Sequence, residues 1–167
     1  MTRSRLTMAL VVVLGLVASI GLTAGGAANA AKAKRTYAYT SQYYKGFGYT
    51  DSTIGVRKPK SLAAAGSSYV FIESKIAKPG HWKGWGSKRA TVRPKKQRIC
   101  PDGQPCSESK KGKLILSKRT KMTCTVKGKS MSVWLYRTIK AKNPKSKAFP
   151  EGQTLKVTYP AVCPSEF

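Results

Sequence analysis

The chain has 167 residues, with 32 Lys and Arg against 6 Asp and Glu, one His and four Cys. One imidazole and six scattered carboxylates argue against acid–base or paired-carboxylate enzymes and against a resident metal. A formal net charge of +26 is more than solubility requires and turns attention to polyanionic partners.

Arg3 and Arg5 precede an apolar run from Leu6 to Leu22, and Ala28-Asn29-Ala30 fits a small-x-small cleavage site. Residues 1–30 therefore read as a secretory signal peptide, so the mature protein is expected outside the cell or on its wall, without a transmembrane anchor. Its removal takes away two arginines and no acid, leaving 30 Lys and Arg against 6 Asp and Glu on 137 residues, a net charge of +24. Leu, Ile, Val and Phe supply only 22 of those 137 residues, below the roughly 20% at which a highly charged chain is suspected of disorder. Aromatics and cystines must make up the difference, and an even cysteine count in a small exported chain is the usual setting for disulfide stapling. The expected organisation is a signal peptide (1–30), a disordered basic leader (31–35, AKAKR) and a single β domain (36–167).

From Thr36 the pattern is strand-like, with Tyr37 and Tyr39 alternating with Ala38 and Thr40. Tyr43, Tyr44, Phe47 and Tyr49 follow among Gly46 and Gly48. These aromatics can present a stacking surface or cover a meagre core from one side. Residues 50–67 read as turns, a KPK element and an Ala-Gly-Ser loop. Ser68 to Ala77 is the clearest strand of the first half, with Val70, Ile72 and Ile76 on one face and Tyr69, Phe71, Glu73 and Lys75 on the other. The glycine-spaced loop Pro79 to Gly86 carries Trp82 and Trp85, either exposed for recognition or folded back over the sheet edge.

Ala90 to Arg93 is a short strand, followed by the densest basic cluster, Pro94-Lys95-Lys96-Gln97-Arg98. In Cys100-Pro-Asp-Gly-Gln-Pro-Cys106 a turn pair and two prolines favour a local disulfide, leaving Cys124 to reach Cys163, one of three pairings that four cysteines allow. Leu114 to Leu116 is a further strand. Lys121 to Lys140 then reads as a β-hairpin: Met122, Cys124 and Val126 alternate with polar residues, and Lys127-Gly128-Lys129-Ser130 supplies the turn. In the second arm Met131, Val133, Leu135 and Ile139 share one face and Trp134, Tyr136 and Thr138 the other. Lys142 to Lys147 is a basic loop, and Gln153 to Tyr159 alternates again. No helical periodicity appears in the mature chain. The expected fold is all-β, a small disulfide-stapled barrel or sandwich of six to eight short antiparallel strands.

Arg93-Pro94, the CPDGQPC segment, GKLILSKRTKMTCTVKG and Trp134-Leu135 together resemble bacterial SH3-like domains of secreted proteins. The resemblance covers residues 93–139 and lacks the Arg-x-Gly-Pro-Ser run of those domains. It implies a small barrel that binds cell-wall peptides or other ligands and does no chemistry.

The first functional expectation is a secreted, non-catalytic binding protein that holds an anionic cell-envelope polymer or an acidic protein, with nucleic acid as a further polyanion class. Arg93, Lys95, Lys96, Arg98, Lys140, Lys142, Lys145 and Lys147 would supply charge, and Tyr43, Tyr44, Trp82 and Trp85 local recognition. No cofactor or metal is called for. The second expectation is a small secreted toxin or hydrolase, in its sharpest form a ribonuclease with Glu73 as base, His81 as acid and Arg89 or Arg93 on the phosphate. The third is a subunit of a secreted assembly, or an enzyme inhibitor that inserts its Cys100–Cys106 loop into a partner.

Overall fold

Period-two alternation commits most of the described residues to strands. The computed structural model describes residues 31, 32, 34–44, 48–66 and 70–167; the expected signal peptide and the side chains of Tyr43 and Tyr44 lie outside the described residues. Along the chain run β1 (Thr36–Tyr44), β2 (Gly48–Val56), β3 (Ser61–Ala65), β4 (Phe71–Lys75), β5 (Ala90–Val92), β6 (Lys96–Cys100), β7 (Ser107–Ser109), β8 (Lys113–Val126), β9 (Lys129–Asn143) and β10 (Gln153–Thr158). The class is all-β, as expected. Eight of these strands have five residues or more, and β5 and β7 add two of three residues each. They form two sheets, β2-β1-β9-β8-β5 with β10 also on β9, and β3-β4-β6-β7, stacked as a small sandwich.

Strand β9 is the spine. One edge pairs with β8 from Lys129 to Lys142. The other edge takes β1 in parallel at Trp134–Tyr136 and then β10 in antiparallel fashion at Thr138–Asn143. The β8–β9 hairpin closes on Lys127 and Gly128, both with positive φ, 50° and 74°. That is the two-residue primed turn whose twist matches the strands it joins. Lys129 and Ser130, expected in the turn, already belong to β9. The separate strand expected at Leu114–Leu116 is instead continuous with the hairpin arm, giving a 14-residue β8 with Lys118 at φ 52° in its middle.

The apolar core is thin, as the composition requires. Leu62, Ala64, Ile72 and Ile99 face Leu114, Leu116, Leu135 and Ile139 across the sandwich. Beside them lies a set of buried polar side chains whose donors and acceptors are matched. Gln97 Nε2 donates to the Lys142 carbonyl (3.0 Å) and to Asn143 Oδ1 (2.9 Å). Ser74 Oγ donates to Gln97 Oε1 at 3.3 Å. Asn143 Nδ2 donates to Ser107 Oγ at 2.8 Å, and the Ser107 amide donates to Gln153 Oε1 at 3.2 Å. These bonds join β4, β6 and β7 of one sheet to β9 and β10 of the other. Gly112 sits against them, and a Cβ there would come within 2.6 Å of Gln97 Nε2.

Hydroxyls do similar work at the edge of β3. Thr40 Oγ1 accepts from the Ala63 amide (3.0 Å) and donates to its carbonyl (3.2 Å), and Ser41 Oγ accepts from the Ala65 amide at 2.9 Å. Side chains of β1 thus cover backbone groups of a strand it does not pair with.

The disulfides are Cys100–Cys106 and Cys124–Cys163, the pairing expected from the spacing. The second fastens the C-terminal tail to β8. That tail also runs beside β2: the Ser165 amide donates to the Thr53 carbonyl (3.0 Å), the Gly55 amide to the Glu166 carbonyl (2.7 Å), and the Phe167 ring meets Tyr37 edge-on at 5.0 Å. Before β1, Ala31, Lys32 and Lys34 are helical, Thr36 Oγ1 donates to the Lys32 carbonyl at 2.7 Å, and the Trp134 amide donates to the Arg35 carbonyl at 2.8 Å.

The two disulfides close loops of very different length, with sequence separations of 39 and 6. The chain-entropy model assigns the longer about 4 kcal/mol and the shorter about 2 kcal/mol. Urea unfolding of Cys124→Ser/Cys163→Ser is therefore expected to show roughly twice the loss of stability shown by Cys100→Ser/Cys106→Ser.

Candidate functional site

The buried Gln97 decides how the basic clusters are displayed. Because its side chain points inward to the Lys142 carbonyl and Asn143, its strand neighbours Lys96 and Arg98 point outward from the β3-β4-β6-β7 sheet. By the same alternation, inward Asn143 and Ala141 place Lys142 and Lys140 on the outer side of the other sheet. The 93–98 and 140–147 clusters thus occupy opposite faces of the sandwich. A two-sheet fold has two outer faces, and the clusters divide between them.

On the β3-β4-β6-β7 side, Ser61, Lys75 and Lys96 stand in one cross-strand row, and Ala63, Glu73, Arg98 and Glu108 in the next. A groove of 810 Å³ runs over these rows and takes in Lys60, Lys75, Lys95, Lys96 and Arg98. Glu108 sits 3.0 Å from Lys96 Nζ and 3.9 Å from Arg98 Nε, so part of the charge is neutralised within the groove. Lys60, Lys75 and Lys95 gather at one end: the Ile76 amide donates to the Lys60 carbonyl at 2.6 Å and the Lys95 amide to the Lys75 carbonyl at 2.7 Å. Among the described residues these three have no carboxylate at ion-pair distance. Arg93 is exposed but lies outside the groove.

The opposite face carries a different arrangement. Lys113 is the cross-strand partner of Lys142, and Lys140 that of Lys156. Like charges directly opposite each other on a sheet repel, and among the described residues none of the four has a carboxylate within ion-pair distance. Lys145 and Lys147 lie in the loop beyond β9. Lys145 is held 3.2 Å from Glu151, whereas Lys147 is exposed.

The tryptophans are where the structure departs furthest from a recognition role. Trp82 and Trp85 are only 6% and 9% exposed. Trp82 Nε1 donates to the Pro59 carbonyl at 3.2 Å, the two indoles meet edge-on at 5.2 Å, and Trp85 meets Tyr136 at 5.5 Å. Of the two arrangements open in the sequence, the loop adopts the one folded back over the sheet. With both indoles buried, the exposed recognition role assigned to them is corrected. The loop also buries the second face of β9. The Tyr136 hydroxyl accepts from the Gly86 amide (3.0 Å) and donates to the Ser87 carbonyl (2.8 Å), leaving Tyr136 fully buried. Trp134, which was not among the candidates, meets two cations: Arg119 lies 4.4 Å and Lys32 4.6 Å from its ring.

The ribonuclease constellation is not assembled in the groove. Glu73 lines it, but His81, Arg89 and Arg93 do not. His81 ends a short 3-10 turn, Pro79–His81, in the tryptophan loop and is exposed. Among the described residues no group of three His, Cys, Asp or Glu could hold a metal ion, and no helix is long and apolar enough to cross a membrane. The Cys100–Cys106 loop projects with Asp102 to Cys106 exposed.

A scan against protein-family models, a search of curated proteins and a search of solved structures each returned no match.

Lys60, Lys75, Lys113 and Lys156 were missed as members of basic sites. For Lys75 and Lys156 a signal was there, since each alternates with inward apolar residues. What the sequence does not state is which strand lies beside which.

Burial pushes the Tyr136 hydroxyl above the ordinary tyrosine value of 10.0, with the Gly86 amide and the Arg119 charge pulling it part-way back. Tyr39 is also raised by burial, against the opposing charge of Arg137. An acid whose folded pKa is raised contributes stability below its unfolded pKa, and loses it as pH climbs toward the folded value. Stability is therefore expected to fall above about pH 10. Tyr136→Phe should cost about 1–3 kcal/mol at neutral pH by stranding the Gly86 amide, yet show a shallower alkaline decline; urea titrations across the alkaline range measure both.

Proposed function

We propose that this is a secreted, non-catalytic binding protein that holds an anionic polymer of the cell envelope. The observation that carries the reading is the two pairs of facing lysines, Lys113 with Lys142 and Lys140 with Lys156, on a sheet face where, among the described residues, none of the four has a carboxylate at ion-pair distance. Such a face repels itself in the free protein and is relieved when a polyanion displaces its counterions. Export is supported by the N-terminal pattern of residues 1–30 and by two disulfides, which persist in oxidising compartments. The resemblance of residues 93–139 to SH3-like wall-binding domains points the same way, on sequence alone. Nothing in the geometry favours the ribonuclease reading over this one, because the groove that holds Glu73 does not take in His81.

Retention of the mature protein on purified anionic wall polymer is expected at low salt, with log affinity falling linearly against log salt. Changing Lys113, Lys140, Lys142 and Lys156 to Gln should lower that slope by about one for each lysine in contact. Absence of retention at low salt, or RNA cleavage that disappears with His81→Ala, would overturn the reading.

A further inference from the structure

The proposed function needs one cationic surface, and the molecule has two that cannot be reached by the same short stretch of polymer. Stacked sheets lie about 10 Å apart, and the basic side chains project away from that gap on both sides. On one outer face stand Lys113, Lys140, Lys142 and Lys156; on the other, Lys60, Lys75 and Lys95 gather at one end of an 810 Å³ groove. Between them lies the bonded interior, where Gln97 reaches the Lys142 carbonyl at 3.0 Å. Resting on the polyanion-binding reading, we propose that a single copy of the chain is bivalent, holding one polymer strand on the lysine rows and a second in the groove, and so bridges anionic polymers.

The two seats differ in chemistry. The lysine rows are open and contain only cations among the ion-pairing groups described, which suits a repeating anion such as a phosphodiester chain. The groove sets its lysine end beside Glu73, Arg98 and Glu108. A strand bound there meets lysines without an ion-pair partner at one end and, at the other, Lys96 and Arg98, whose charge Glu108 partly neutralises, so its anionic groups are drawn toward Lys60, Lys75 and Lys95. The faces are held apart by the matched buried amides and cannot close on one strand without breaking them.

Inorganic polyphosphate tests this with the mature, oxidised protein. A short oligomer, too short to span both faces, is expected to bind at two per chain by titration calorimetry. Long-chain polyphosphate should cross-link into light-scattering assemblies that dissolve in high salt. Changing Lys113, Lys140, Lys142 and Lys156 to Gln should leave one oligomer per chain and abolish the scattering, and so should changing Lys60, Lys75 and Lys95 to Gln. Loss of four exposed lysines elsewhere, at Lys88, Lys121, Lys127 and Lys129, should preserve both. One oligomer per chain in the unchanged protein, with binding intact, overturns bivalence and leaves the function standing. Scattering that survives both face variants as well as it survives the control also overturns it, since diffuse charge would then suffice. No binding of either probe at low salt removes the function and the inference together.

Discussion

The structure depends on the polar contacts that cross the sandwich from Gln97. In most small β domains the two sheets are registered by interlocking apolar side chains. Here an apolar cluster from both sheets is joined, at one end of the molecule, by buried amides and hydroxyls. Gln97, Asn143, Ser107 and Gln153 are all buried, and each has a named partner. A hydrogen bond has a direction and a length, whereas apolar contact tolerates sliding. A one-residue slip of β6 or β9 would therefore strand several buried amides, at about 1–3 kcal/mol for each. The same slip would turn the neighbouring lysines from solvent into the core. Register and charge display are thus one constraint: fixing Gln97 inward fixes Lys96 and Arg98 outward, and fixing Asn143 inward fixes Lys142 outward.

The remaining stability comes from coverings. The tryptophan loop lies over β9, so that Tyr136 and Thr138, on the face opposite Leu135 and Ile139, are also buried. The C-terminal tail lies along β2 and is fastened by Cys163 to Cys124, and Tyr39 adds a hydroxyl bond to the Val162 carbonyl and stacks on Tyr159 at 4.9 Å. Each covering recruits large aromatic area into a chain poor in Leu, Ile, Val and Phe, with about 150–250 Å² buried per ring. This explains why a composition close to the disordered range still yields a packed domain.

Local pattern carried much of this into the sequence, and pairing carried little. The strand at Phe71–Lys75, the hairpin arms, the inward set Val133, Leu135 and Ile139, and both disulfides follow from alternation, turn residues and spacing. Strands β2, β3, β6 and β7 were not anticipated as strands, because Ser, Ala, Gly, Lys and Gln weaken the apolar alternation. Gln97 illustrates the difficulty, since a glutamine amid lysines reads as surface until Asn143, 46 residues away, is known to face it. The tryptophans fail for a related reason: spacing by glycine shows that a loop can bend, not which way it bends. The lysine rows belong to the same class of information, since Lys113, Lys142, Lys140 and Lys156 are neighbours only through pairings made at long range.

The kind of cation used bears on the kind of partner. Lysine outnumbers arginine by 23 to 9. Arginine rewards a planar, bidentate acceptor held in fixed geometry, whereas lysine acts as a strongly hydrated point charge on a flexible stem. A lysine surface therefore asks little of the shape of the anion and much of its charge density, which suits a repeating polymer better than a single shaped ligand. Three of the nine arginines make internal contacts: Arg98 over Phe71 at 5.5 Å and beside Glu108, Arg119 over Trp134, and Arg137 bonded to Thr120 at 3.1 Å. Point-charge contacts are individually weak and salt-sensitive, so useful retention has to come from number. On the proposed reading, two faces on one molecule would supply that number without further residues, because with one face engaged a second strand of the same polymer network would already be at high local concentration.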